Sequence, residues 1–223
     1  MVGHLKASEA RDDGQVYAAS HRRGLARIAE PFSRRARQRR HAFYRTMMSP
    51  WPDQPILDVG CGAEGLAAFE PGAYIIGLDA VERPEYPGRT FVRGDARALP
   101  FEAGSFEIAY SNSLVEHLDP ADRPRFAAEI RRVARRYWVQ TPNRYFPIEP
   151  HVLLPGFQFL PEAARKRFWR LGMPRTPYEP IELLNAAELR HLFPDAVILR
   201  ERFAGLTKSL IAAGPAELLK SHH

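Results

Sequence analysis

The sequence has 223 residues, of which 45% are hydrophobic and 26% are charged, and its formal net charge is +6 at pH 7. This composition is typical of a globular protein and excludes a collagen-like or wholly disordered chain. No apolar run approaches the roughly 18 residues that a membrane helix needs, and the first residues lack the apolar core of a secretory signal. We therefore expect a cytoplasmic protein without a transmembrane segment.

Positive charge is concentrated in residues 1–50, which hold 11 Lys and Arg against 4 Asp and Glu. The segment from His21 to Arg45 spaces its apolar residues as an amphipathic helix does. Such a helix packs its apolar side on a core and leaves a solvated basic face. The same face can also bind the phosphates of RNA or an anionic lipid. We predict a basic helical arm over residues 1–50 and one α/β domain over residues 51–223.

Short apolar runs alternate with Gly-, Pro- and Asp-rich segments from Pro55 onward. The pattern predicts strands at Ile56–Val59, Tyr74–Leu78, Thr90–Val92, Phe106–Ser111 and Tyr137–Thr141. The clearest helix is Ala121–Arg135, with Asp119 as its candidate N-cap. Apolar strands separated by helices are typical of a parallel sheet that is covered on both faces.

Two further features follow the fifth predicted strand. Apolar runs at Ala196–Phe203 and Lys208–Ala213 predict an antiparallel hairpin at the edge of the sheet. Between this hairpin and the fifth strand lies a Pro- and aromatic-rich segment, residues 142–185. It is too long for an idle loop in a compact domain, so we predict that it forms a cap over the functional site.

A glycine turn directly after the first predicted strand is the strongest chemical signal. Gly60, Gly62 and Gly65 match GxGxxG, and Asp79 follows the first of them by 19 residues, close to the spacing of dinucleotide-binding folds. Such a turn brings backbone close to a ligand, but it does not distinguish one adenosine cofactor from another.

The acids beside the turn do distinguish between adenosine cofactors. Asp58 lies near the end of the first predicted strand, and Glu64 lies where the next helix would begin. Both carboxylates would repel a pyrophosphate bound over the turn. S-adenosylmethionine has no phosphate and carries an ammonium and a sulfonium, which suit the same acids.

Four segments, in this order and spacing, resemble the motifs of the class I S-adenosylmethionine-dependent methyltransferases, particularly the small bacterial type 11 group. They are Ile56–Gly62, Ile75–Asp79, Phe91–Phe101 and Ser105–Leu118. The resemblance implies a Rossmann-like seven-stranded methyltransferase sheet, mostly parallel with an antiparallel C-terminal hairpin strand. It also implies S-adenosylmethionine as the cofactor.

The same resemblance implies roles for individual residues. Asp58 would help to hold the amino group of the cofactor, Asp79 would accept from the ribose hydroxyls and Asp95 from the adenine amino group. The complete implied set is Asp58, Gly60, Cys61, Gly62, Asp79, Ala80, Asp95, Ala96 and Ser111. Cys61, the one cysteine, is expected to pack rather than react, and no metal is expected.

Methyl transfer depends mainly on alignment, because a sulfonium is already a good leaving group. A general base is needed only if the acceptor must lose a proton. His117 after the fourth strand and His151 after the fifth are candidate bases, and each can alternatively be an ordinary structural histidine.

We expect a methyltransferase that acts on a small molecule or on a lipid- or glycan-linked acceptor. After the fourth strand the chain has Ser111-Asn-Ser-Leu instead of the Pro-containing runs of DNA base methyltransferases. One alternative is an inactive methyltransferase-like module that binds RNA or another anion through the basic arm. The other is an NAD(P)-dependent reductase, which leaves Asp58, Glu64 and Asp95 unexplained.

Overall fold

The computed structural model of the chain describes residues 23–149, 154–172, 178 and 181–219. Its α-helices are α1 (Arg23–Met48), α2 (Arg123–Val133), α3 (Glu162–Gly172), α4 (Ala186–Leu192) and α5 (Ala216–Leu219). Its strands are β1 (Ile56–Val59), β2 (Ile75–Asp79), β3 (Thr90–Arg93), β4 (Phe106–Asn112), β5 (Ala134–Pro142), β6 (Val197–Phe203) and β7 (Leu206–Gly214). Single turns of 3-10 helix lie at Val115–His117 and Phe157–Phe159.

The seven strands form one sheet in the order β3-β2-β1-β4-β5-β7-β6. The first five strands are mutually parallel, whereas β7 is antiparallel to both of its neighbours, β5 and β6. The predicted fold class, a mostly parallel sheet with an antiparallel C-terminal hairpin strand, is confirmed. The ends of the parallel strands define one edge of the sheet, which we call the carboxyl edge.

Both faces of the sheet are covered, as the apolar strands predict. Leu57 and Val59 of β1 point to the face that packs against α2 and α4. Ile56 of the same strand points to the other face, which packs against α1. Successive side chains of a strand alternate between faces, so the three apolar residues of β1 supply both layers of core.

Helix α1 packs on the sheet through its C-terminal half. Tyr44 and Met48 are fully buried, and the Tyr44 ring makes edge contacts with Tyr110 and Trp138. Arg40, one turn before Tyr44 in the helix, donates to Asn112, the last residue of β4. The helix thus runs antiparallel to the parallel strands. The predicted division of the chain at residue 50 stays a prediction.

The predicted helix at Ala121–Arg135 is shorter in the structure. It ends at Val133 because Ala134 already pairs with Phe106 as the first residue of β5. Asp119 is not its N-cap. Its carboxylate accepts from the N–H of Ala121 in the preceding turn, and Asp122 occupies the cap position.

The connections on either side of β2 contain turns and bends instead of helices. Two prolines, Pro84 and Pro87, lie in the second connection, where each lacks a backbone donor. Within the described residues, none of the helices is both long and apolar enough to cross a bilayer.

Tyr44 offers a test of how α1 is held on the sheet. Its hydroxyl is buried without a partner among the described residues, whereas its ring fills the core. We expect Tyr44→Phe to be neutral or stabilising, because it removes an unpaired polar group, and Tyr44→Ala to cost about 3–5 kcal/mol. Urea denaturation measures both changes. Exposed Thr46→Ala is the control, with an expected change within about 0.5 kcal/mol, and an equal loss in all three variants would contradict the packing.

Candidate active site

The glycine turn after β1 lies at the carboxyl edge, beside the end of β2. The N–H groups of Gly60 and Cys61 donate to the carbonyl of Leu78 at 2.7 and 3.2 Å. Gly60 has a φ of +72°, and a Cβ on it would lie 2.8 Å from Cδ2 of Leu114 in the loop after β4. Glycine is therefore required where the two loops meet.

Asp58 is a fully buried carboxyl at the foot of this turn. Its Oδ2 accepts from the N–H of Leu66 at 2.6 Å and from the hydroxyl of Tyr86 at 3.1 Å. Burial raises the pKa of Asp58 to about 7, the two hydrogen bonds lower it, and the nearby Asp79 raises it. A cation at the turn would favour the ionised form of this group.

Asp79 organises the turn from the end of β2. Its Oδ2 accepts from the N–H of Gly62 at 3.0 Å, and its Oδ1 accepts from the N–H of Val81 at 2.9 Å. The guanidinium of Arg83 lies 3.7 Å from Oδ2. A carboxylate has about four acceptor positions, so each oxygen can accept a further bond from a hydroxyl group.

Tyr86 was not singled out from the sequence, although it supports the turn directly. Its ring occupies a slot where Gly65, Gly77 and Gly88 leave room, because a Cβ on any of them would collide with the ring or its neighbours. The three glycines come from separate segments, so only the folded arrangement shows what they share. From this slot the hydroxyl reaches Asp58.

Asp95, after β3, is half-exposed and is engaged by Arg97. The guanidinium binds both oxygens of Asp95 at 2.7–3.1 Å and reaches Asp122 at 2.6 Å. Arg97 lowers the pKa of Asp95 through these hydrogen bonds. Asp95 therefore stays ionised, and Arg97 joins the loop after β3 to the start of α2.

The other predicted cofactor residues occupy varied positions. Cys61 is buried, and burial raises the pKa of its thiol well above the usual range, which suits packing rather than reaction. The hydroxyl of Ser111 donates to the carbonyl of Val59, so the side chain of Ser111 links β4 to the neighbouring strand β1. Ala80 is exposed at the end of β2, and Ala96 is buried beside Asp95.

His117 is half-buried in the 3-10 turn after β4, at the carboxyl edge. Its neighbour Glu116 is buried, and one oxygen accepts from the hydroxyl of Thr141 near the end of β5 at 3.0 Å. The other oxygen has no partner among the described residues. Glu116 stands beside the predicted base in sequence, and that adjacency is the signal that could have identified it. His151 lies outside the described residues.

The described part of the predicted cap continues from β5. Phe157, Trp169 and Tyr178 pack together in a small cluster of their own. They line a cavity that has room for about one water molecule. The cavity is too small to hold a methyl acceptor.

A family model for a methyltransferase domain matches residues 57–137. This match spans β1 to the start of β5 and contains the glycine turn, Asp58, Asp79 and Asp95. Residues 57–137 are thus similar to a methyltransferase domain. The resemblance seen in the sequence is thereby confirmed.

Curated relatives match part of the chain. The phthiotriol/phenolphthiotriol dimycocerosates methyltransferase of Mycobacterium tuberculosis is 38% identical over an alignment of 105 residues, and the match covers 41% of this chain and 36% of that protein. An uncharacterized methyltransferase of Synechocystis is 28% identical over 92 residues, covering 38% of this chain and 43% of that protein. The matches thus span less than half of each relative.

Solved structures share the fold over nearly the whole chain. The 1,6-didemethyltoxoflavin-N1-methyltransferase of Burkholderia thailandensis, solved with S-adenosylhomocysteine, has a TM-score of 0.53 and 17% identity, covering 95% of this chain and 96% of that one. The magnesium protoporphyrin IX methyltransferase of Synechocystis has a TM-score of 0.51 and 14% identity, covering 92% and 98%. At these identities the likeness shows the fold alone.

Substitutions at two glycines of the turn allow the effect of backbone strain to be measured apart from that of a steric collision. Gly62 and Gly65 both have positive φ, at +58° and +53°, but only at Gly65 would a Cβ strike the Oδ2 of Asp58. We expect Gly62→Ala to lose about 1 kcal/mol of stability through strain, and Gly65→Ala about 3 kcal/mol through strain and overpacking together. Urea denaturation compares the two variants. Equal losses would show that Asp58 does not occupy the described position.

Proposed function

We propose that this chain is an S-adenosylmethionine-dependent methyltransferase. The domain family, the fold and the acids at the carboxyl edge support the proposal. One observation carries most weight, namely that the carboxylates of Asp58 and Asp79 accept from backbone N–H groups in the glycine turn and directly after it. Leu66 N–H donates to the first and Gly62 N–H to the second.

This arrangement disfavours a dinucleotide cofactor. A pyrophosphate needs free backbone N–H groups at the turn, and carboxylates close to it oppose its negative charge. In this chain the N–H groups of Gly62 and Leu66 already donate to Asp79 and Asp58. Both of these carboxyl groups are buried. A cofactor with an ammonium and a sulfonium gains from the same negative charge, which supports the choice of S-adenosylmethionine over NAD(P).

The chain's own residues would bind and orient the cofactor. The glycine turn admits the methionine part without Cβ atoms in the way, and Asp58 favours its ammonium. Asp79 retains acceptor capacity on both oxygens for the ribose hydroxyls, while its bonds to Gly62 and Val81 hold it in place. Bound S-adenosylmethionine supplies a methyl group on a good leaving group, so alignment is the protein's main contribution.

The adenine end would depend on Asp95 and Ala96. The backbone N–H and the guanidinium of Arg97 already supply two contacts to each oxygen of Asp95, which fill its acceptor positions. An adenine amino group would therefore have to replace one of these contacts and share the carboxylate with Arg97. The remaining predicted contacts, at Gly60, Cys61, Ala80 and Ser111, stay proposals.

For the acceptor we propose a small molecule or a lipid- or glycan-linked compound. The relative named for a dimycocerosates lipid, 38% identical over the shared part, favours the lipid class. His117 lies at the carboxyl edge, where it would take a proton from an oxygen or nitrogen acceptor. The proposals for His151 as base and for a cytoplasmic location stand on the sequence alone.

Calorimetry with S-adenosylmethionine, S-adenosylhomocysteine and NADH tests the proposed cofactor. We expect the two sulfur compounds to bind near micromolar Kd, about −8 kcal/mol, and NADH not to bind. Asp79→Ala should weaken binding at least tenfold, because it removes the proposed ribose acceptor. Folded protein that binds neither sulfur compound would overturn the proposal, and NADH or RNA binding would then support one of the alternatives.

The raised pKa of Asp58 predicts that S-adenosylmethionine binding depends on pH. Burial raises the pKa of Asp58 to about 7 in the free protein, and a bound cation would lower it, so binding releases a proton. Between pH 6 and pH 8 the affinity should therefore rise, by about tenfold if only the ionised form binds. Calorimetry at several pH values measures this change. Asp58→Asn should remove it, and an affinity that falls with rising pH would contradict the assignment.

A further inference from the structure

Exposed apolar side chains are concentrated at one end of the molecule. Among the described residues, eight large hydrophobic side chains are at least 42% exposed. One of them, Trp51, lies between α1 and β1. The other seven belong to the cap and the β6–β7 turn, namely Tyr145, Ile148, Leu154, Phe159, Phe168, Phe203 and Leu206. We call these seven side chains the apolar rim.

The rim stands at the carboxyl edge. Strand β7 is antiparallel to β5 and pairs Ser209 with Pro142, the last residue of β5. The β6–β7 turn therefore projects past the end of the parallel strands. The cap begins at the same place, and it contacts the turn through the rings of Phe146 and Phe203, whose centroids are 6.5 Å apart.

Hydrogen bonds connect the remaining parts of the rim. Asn143 donates to the carbonyl of Thr207, which joins the base of the cap to the start of β7. Gln158 donates to the carbonyls of Arg144 and Phe146, which holds the 3-10 turn containing Phe159 against the same segment. These contacts thus join the cap segment after β5 to the hairpin and to the 3-10 turn.

Basic side chains accompany the apolar rim. Helix α3 carries exposed Lys166, Arg167 and Arg170 around Phe168, and exposed Arg202 precedes Phe203 in β6. The acids of α3 and β6 are Glu162 and Glu201, and each forms an ion pair, with Lys166 and Arg40 respectively. The Arg40 pair also places the basic helix α1 beside the hairpin.

We propose that the apolar rim docks on an anionic membrane surface. Aromatic and aliphatic side chains surrounded by Lys and Arg have the composition of an interfacial membrane-binding surface. Cations at the rim attract anionic headgroups, whereas they would repel the same rim on a second copy of this chain. Large exposed apolar patches with a polar border mark sites of interaction on soluble proteins.

The position of the rim determines which part of the protein would face the membrane, and the inference drawn from it here rests on the proposed function. The rim lies on the β5–β7 side of the carboxyl edge, the edge at which Asp58, Asp79 and His117 also lie. A protein docked through the rim would turn this edge toward the bilayer. A lipid-borne acceptor would then reach the site from the membrane, without transfer through water.

Vesicle sedimentation tests the docking. The probes are vesicles of phosphatidylcholine alone and of phosphatidylcholine and phosphatidylglycerol in equal parts. We expect the full chain to bind the mixed vesicles, to bind the neutral ones at least tenfold more weakly, and to dissociate at high salt. The double variant Phe203→Ser/Leu206→Ser should lose at least tenfold in binding, because both side chains are half-exposed and removing them leaves the core intact.

Trp51→Ser is the matched control. Trp51 is also half-exposed, but it lies beside Arg136 near the start of β5, away from the rim, so this variant should bind vesicles as the parent does. The docking is overturned if the parent does not bind mixed vesicles or if the double variant binds them as the parent does. It is also overturned if ultracentrifugation shows that the parent is a dimer and the double variant a monomer.

Calorimetry with S-adenosylhomocysteine on the same preparations separates the two proposals. Vesicle binding is measured without cofactor. Normal cofactor binding without vesicle binding would overturn the docking alone. Vesicle binding without cofactor binding would overturn the proposed function and leave the docking surface supported.

Discussion

The carboxyl of Asp58 is the group on which the arrangement of the site depends. A buried carboxylate is costly unless hydrogen bonds replace water, and here two donors do so, the N–H of Leu66 and the hydroxyl of Tyr86. The first fixes the chain after the glycine turn, and the second fixes the connection between β2 and β3. Two otherwise irregular segments are thereby held against β1. The replacement of water is incomplete, because the pKa of Asp58 remains raised, and a bound cation would offset the remaining cost.

The sequence predicted the sheet well because its strands are buried on both faces. A strand such as β1 then consists of apolar residues with few interruptions, and its ends are marked by glycine or proline. The glycine turn and Asp79 were also identified, since their spacing is local. The slot around Tyr86 was not, because Gly65, Gly77 and Gly88 become neighbours only after β1 and β2 pair. The helix ends were misplaced for a related reason. Pairing with Phe106 of β4 recruits Ala134 into β5, and this long-range contact overrides local helical preference.

The basic arm shows how far net charge can be interpreted. Residues 1–50 carry a large excess of Arg and Lys, which alone favours a phosphate-binding surface. The structure uses part of that charge internally, because Arg40 pairs with Glu201 and Arg45 with Glu70. These pairs join α1 to β6 and to the connection after β1. Exposed arginines such as Arg35 and Arg39 remain, so the arm combines a structural role on one side with a basic face on the other.

Negative and positive side chains occupy different parts of the carboxyl edge. Asp58 and Asp79 lie inside, beside the glycine turn, whereas the described cations of α3 and β6 lie outside on exposed surface. Inner acids favour a cationic cofactor, and outer cations favour an anionic surface, so under the two proposals neither ligand competes for the other's position. Burial strengthens the inner interaction, while exposure leaves the outer one weak and screened by salt. Cofactor binding would then persist in solution, and membrane contact would stay reversible.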